Sequence, residues 1–144
     1  MLDIGIFRKI PLTNDITRTD GTKSSNKAKI TNISVSEKYT TYMENGYKVI
    51  KIGNSEQTLT GKHSYTIKYR YNIGKDPLKN ADELYYNLIG NEWDTTIKKL
   101  SFTIKMPKTF DKTLLGFSSG SKGSTNSSNI YYSVDGNIIN GSIN

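Results

Sequence analysis

The residues 83 to 97, ELYYNLIGNEWDTTI, carry the only tryptophan of the 144-residue chain, two adjacent tyrosines and three carboxylates around a glycine. Two chemistries fit such a set. Asp82, Glu83, Glu92 and Asp94 could supply the carboxylate pair of glycoside hydrolysis, which needs two acids about 5–10 Å apart across a cleft. Trp93, Tyr85 and Tyr86 would then form a platform for a sugar ring. The competing assignment is structural: the acids cap turns and pair with lysines, Gly90 makes a turn, Asn87, Asn91 and Asp94 satisfy loop backbone, and Trp93 fills the core. Nothing in the sequence marks a cleft, so the structural assignment is preferred.

Other chemistries are harder to build. His63 is the only histidine and there is no cysteine. One histidine cannot make a metal cluster, and no nucleophile or carboxylate can be placed beside it by spacing. It reads as a strand-edge or loop residue. The run NLIGNEWD lacks the alternating oxygen ligands of an EF-hand loop. No cofactor, metal or catalytic residue is therefore expected, and the chain is not read as an enzyme. Without cysteine, disulfides are excluded. A net charge of +7 favours anionic partners, although no nucleic-acid-binding signature appears, and nucleic acid is not expected. Sequons at Asn32, Asn126 and Asn140 matter only in a glycosylating host.

The elements that must position these residues are strands. In GKHSYTIKYRYNIG, residues 61–74, Tyr65, Ile67, Tyr69 and Tyr71 alternate with polar residues. In IKKLSFTIKMP, residues 97–107, Leu100, Phe102, Ile104 and Met106 do the same, and Pro107 closes the run. Both show the two-residue period of a half-buried strand. In KAKITNISVSEKY the apolar parity switches between Ile30 and Ile33, the mark of a β-bulge. Asn45-Gly46 and Asp135-Gly136 are hairpin turn signals. No stretch has helical periodicity, apart from room for one short helical turn near 78–86. The expected fold is all-β: one antiparallel β-sandwich domain over 1–144, immunoglobulin-like, with polar flexible loops near 17–27 and 116–129.

Taken together, GIFRKIP (5–11), LTGKHSYTIKYRY (59–71) and DELYYNLIGNEWDTTIKKLSFTIKMP (82–107) resemble the N-terminal extracytoplasmic domain of the YciQ-like predicted membrane proteins, a domain-of-unknown-function family. Gly5, Arg8 and Pro11 match its first block, and Gly61, His63, Tyr65 and Tyr69 its second. Asp82, Glu83, Asn87, Gly90, Asn91, Trp93 and Asp94 match the third, and Pro107 the last. Tyr86 departs from the pattern, which usually has tryptophan there. The resemblance covers nearly the whole chain, with 116–129 the least matched.

The resemblance implies an uncharacterised bacterial membrane protein, of which this is a soluble ectodomain fragment on the extracytoplasmic face. Membrane anchoring would come from segments outside it. The expected role is a non-catalytic binding or interaction module at the cell envelope, facing an anionic envelope polymer or another protein. The alternative is a carbohydrate-binding or carbohydrate-active domain using the residues around Trp93. Candidate binding residues are Tyr85, Tyr86, Asn87, Asn91, Trp93, Asp94 and Arg8. If flanking strands are missing, an unpaired sheet edge implies weak self-association.

Overall fold

A computed structural model of the chain describes residues 5–53, 60–90 and 92–144. The chain divides into two compact units, Met1–Glu92 and Trp93–Asn144, each built from antiparallel sheet.

Among the described residues the first unit holds seven strands: β1 (Ile6–Pro11), β2 (Thr13–Thr17), β3 (Lys23–Lys27), β4 (Lys29–Val35), β5 (Tyr39–Glu44), β6 (Tyr47–Ile52) and β7 (Ile67–Asn72). They form a three-stranded sheet in the order β1-β6-β5 and two-stranded sheets β2-β3 and β4-β7. Strand β6 is central in its sheet. Val49, on one face, and Ile50 and Ile52, on the other, are all fully buried. Burial on both faces explains why YKVIKI has consecutive apolar residues and no strict alternation.

The core gathers on the Ile50 face. Ile10, Ile50 and Ile52 form its centre, and Ile30, Ile33, Val35, Ile67, Tyr69 and Tyr71 of β4 and β7 pack against it. Two sheets thus share one apolar layer, as in a small sandwich. Each fully buried isoleucine contributes about 2 kcal/mol of transfer free energy. Strand β7 bears out the alternation read at Tyr65–Tyr71, although the ladder itself begins at Ile67. The parity switch is also present: the β4–β7 register shifts between Thr31 and Ser34, and Asn32 takes a positive φ of 55°.

Turn chemistry sets the hairpins. Between β5 and β6, Asn45 and Gly46 have φ of 48° and 80°, the pair of positive values that a type I′ turn needs. The stretch 17–27, expected as a polar connector, instead forms the hairpin of β2 and β3. Asn14 and Ile16 alternate inward along β2. The turn is closed by Gly21 N–H to Arg18 O and Arg18 N–H to Thr22 O, both at 2.9 Å, with Gly21 at φ 84°. That is a type I turn followed by a glycine bulge. Asp20-Gly21 is the local signal for it.

The second unit comprises β8 (Leu100–Lys105), a 3₁₀ turn (Lys112–Leu114), β9 (Ile130–Asp135) and β10 (Ile138–Ile143). Its sheet order is β8-β10-β9. The alternation read in LSFTIK is borne out along β8. The hairpin expected at Asp135-Gly136 forms one residue later. Asp135 pairs with Ile138, so the turn is Gly136-Asn137, and φ of 60° at Gly136 alone fits type II′. Within 116–129, Phe117 lies 5.2 Å from Phe102 and 5.0 Å from Tyr132, ring to ring. Ser119 and Asn126 bridge beside it.

Gly141 sits directly opposite Phe102, and a Cβ there would overlap the phenyl ring. Gly141→Ala is expected to lower stability by about 1–3 kcal/mol through overpacking. Adding Phe102→Leu should recover part of that loss. Urea unfolding of the single and double variants checks this; additive losses would contradict it.

Candidate functional site

The segment expected to carry a helical turn, 78–86, has none. Asp76 explains why. Its carboxylate accepts the backbone N–H of Leu78 and of Glu83, each at 2.8 Å. Those donors, Glu83 first, hold Asp76 below the ordinary carboxylate value. The carboxylate therefore folds the segment into a closed loop and takes N–H groups that helical carbonyls would otherwise receive. Glu83 is fixed in turn by Arg18, whose Nε and Nη2 reach its two oxygens at 2.9 and 2.7 Å. The same guanidinium donates to Ser24 Oγ at 2.8 Å. One bidentate pair thus ties the β2–β3 hairpin to the acidic loop.

Beyond Glu83 the chain is fastened twice more. The Tyr86 hydroxyl is hydrogen-bonded to the Tyr69 hydroxyl, and its ring meets Tyr71 edge-on at 5.1 Å. Tyr71 donates to Pro11 O at 2.7 Å and accepts from Asn14 Nδ2 at 2.7 Å. Burial, then the Tyr69 hydrogen bond, pushes the Tyr86 hydroxyl well above the ordinary tyrosine value. Arg8 projects from β1 and is only 7% exposed. Its Nη1 donates to Ile89 O and to Lys9 O, the latter at 3.3 Å. Gly90, at φ 83°, lies against this guanidinium where any Cβ would collide. Among the described residues no carboxylate comes within ion-pair distance of Arg8.

Of the candidate residues, then, Arg8 and Tyr86 are brought to one place, where they fasten the loop to the sheet. Tyr85 and Asn87 point to solvent, with Tyr85 46% exposed. Asn91 lies outside the described residues. Trp93 and Asp94 open the second unit and are exposed, Trp93 to 36%. The expected burial of Trp93 in the core is not what is found. Residues 92–99 form no strand, so no sheet face carries the indole inward, and the core is aliphatic with tyrosines at its margin.

Of the candidate acids, Glu83 is held by Arg18, and Glu92 accepts from Tyr47 Oη at 3.3 Å. His63 sits in a loop with Nε2 2.9 Å from Thr60 O. Among the described residues no three acidic or histidine side chains gather as a metal group. Sequence reasoning missed Asn14, Arg18 and Asp76. The inward parity of Asn14 was a local signal, whereas the Arg18–Glu83 pair joins residues far apart in sequence and had none.

These features define a β-sheet chain in which Arg8, Tyr69, Glu83 and Gly90, from separate sequence blocks, meet at a fastened surface loop. The chain belongs to the family described as the predicted membrane protein (DUF2207) N-terminal domain, whose model matches residues 4–139. The match runs across both units. No curated protein and no solved structure matches the chain. Among the described residues, no helix is long and apolar enough to cross a membrane.

Two outcomes follow from this geometry. Arg8→Met strands two carbonyls that the guanidinium serves and should cost on the order of 2 kcal/mol in denaturant unfolding. Proteolysis should then cut first within 84–90, and a global loss without local loosening would argue against the loop-fastening role. Tyr86 has a folded-state value raised above its unfolded one, so its contribution is complete below about pH 10 and is lost as pH rises further. Stability measured from pH 8 to 11 should fall at the alkaline end, and less steeply in Tyr86→Phe.

Proposed function

We propose that the chain is a non-catalytic domain on the extracytoplasmic side of a bacterial membrane protein, acting as a binding or interaction module at the cell envelope. The observation that carries this reading is how the loop is held. Arg8, Arg18, Asp76, Glu83 and Tyr86 fasten it, and the loop then presents Leu84, Tyr85 and Leu88 to solvent. A rigidly held loop with an exposed apolar tip is the form of a docking element, not of an acid–base pair. Membership of a membrane-protein family supports the setting. The charge of +7 favours an anionic envelope polymer or an acidic protein surface as partner. Strands at the sheet edges, β5 and β9 among them, would allow weak self-association.

A second reading draws on the exposure of Tyr85 and Trp93, which leaves aromatic surface for a sugar ring. Titration with an anionic polyphosphate polymer and with neutral oligosaccharides separates the two. Under the first reading the polymer binds, and binding is largely gone well before ~1 M salt, where the Debye length is about 3 Å. Binding of neutral sugar that survives salt and disappears in Trp93→Ala would replace it with the second.

A further inference from the structure

The outer face of the β4–β7 sheet carries an unbalanced charge. Opposite the core-facing Ile30, Val35, Ile67, Tyr69 and Tyr71, the strands expose Lys29, Thr31 and Ser34 from β4 and Lys68, Arg70 and Asn72 from β7. The register places Arg70 across from Thr31, Lys68 across from Ser34, and Lys29 across from Asn72. Every cation thus faces a neutral hydrogen-bonding side chain. Opposite charges in cross-strand positions would stabilise such a sheet, and none is used. Lys68 and Arg70, two residues apart on one strand, stand roughly 7 Å from each other with no acid between them.

Three cations elsewhere in the same unit do have partners. On the Val49 face of β1-β6-β5, Lys9 lies 3.6 Å from Glu44, and Lys51 sits over the Phe7 ring at 5.5 Å. Arg18 is held by Glu83. Among the described residues, no ion pair is made by Lys29, Lys68 or Arg70. Neither β4 nor β7 carries an acidic residue, so nothing within this sheet offsets its three cations.

A face of cations interleaved with hydroxyl and amide groups suits an array of phosphates. The chain is a domain of a membrane-protein family, so the anionic surface within its constant reach is the bilayer. We infer that the β4–β7 face is a docking surface for anionic phospholipid headgroups, which lays the first unit against the membrane. This rests on the interaction-module reading above and names the bilayer itself as one partner. Each basic residue near an anionic leaflet strengthens attachment about fivefold, so three together give about a hundredfold, falling off within a Debye length.

Co-sedimentation of the whole chain with vesicles tests it, using phosphatidylcholine alone and phosphatidylcholine with a third phosphatidylglycerol. Two triple variants of equal net charge are compared. One carries Lys29→Gln, Lys68→Gln and Arg70→Gln; the other carries Lys99→Gln, Lys112→Gln and Lys122→Gln from the second unit. All six side chains are exposed, and circular dichroism verifies that each variant stays folded. The expected result is binding to the anionic vesicles only, about a hundredfold weaker in the first variant and changed by less than fivefold in the second. Equal losses in the two variants would overturn the assignment to this face. Absence of vesicle binding while polyphosphate still binds would overturn the bilayer inference and leave the interaction-module reading standing. Failure to bind either would sink both.

Discussion

A guanidinium placed on the core side of a strand must be given acceptors, because its charge cannot simply be left in an apolar layer. Arg8 occupies that position in β1; one acceptor, Lys9 O, is its neighbour in the strand, and the other, Ile89 O, comes from the chain that leaves the acidic loop. This requirement explains much of the first unit. Gly90 must lack a side chain for the backbone to approach the guanidinium. The loop before it must be delivered at the right height, which the Asp76 cap, the Arg18–Glu83 pair and the Tyr69–Tyr86 contact accomplish. Residues scattered along the sequence, from Arg8 to Tyr86, are thus one polar assembly. Their shared purpose is positional, and it leaves Leu84, Tyr85 and Leu88 exposed on the loop's outer side.

Much of this fold was legible in the sequence, for reasons of period and turn geometry. The alternations along β7 and β8, the bulge at Asn32 and the Asn45-Gly46 turn are local rules that tertiary packing had no cause to override. The Asp135-Gly136 signal was shifted by one residue because glycine suits the first central position of a II′ turn as well as a place in I′. The β2–β3 hairpin was obscured by polar composition. Three of its four inward positions, Asn14, Ser24 and Asn26, are polar residues that a hydrophobic pattern does not count.

The site was less legible. Aromatic and acidic residues crowd into 83–97, and crowding in sequence looked like convergence in space. The fold instead parts them. Tyr86 turns inward, Tyr85 and Asn87 turn outward, and Trp93 and Asp94 begin the second unit. What converges are residues from separate blocks, and long-range polar pairing of that kind has no periodicity to announce it. The family resemblance was the only sequence signal that grouped Arg8 with the loop, because it set their blocks side by side without stating why.

The hairpins have a consequence for how the chain reaches this state. Links β2–β3, β5–β6 and β9–β10 are short, and such units form within roughly microseconds. None completes a core alone. Ile6 must still meet Ile52, Lys29 must meet Asn72, and Leu100 must meet Ile143, each across a long intervening stretch. Those three closures lose chain entropy before their contacts return it, so they set the pace of folding. The newly made hairpins must therefore wait with their edges bare, and the slowest moments in the life of this domain come before its core exists.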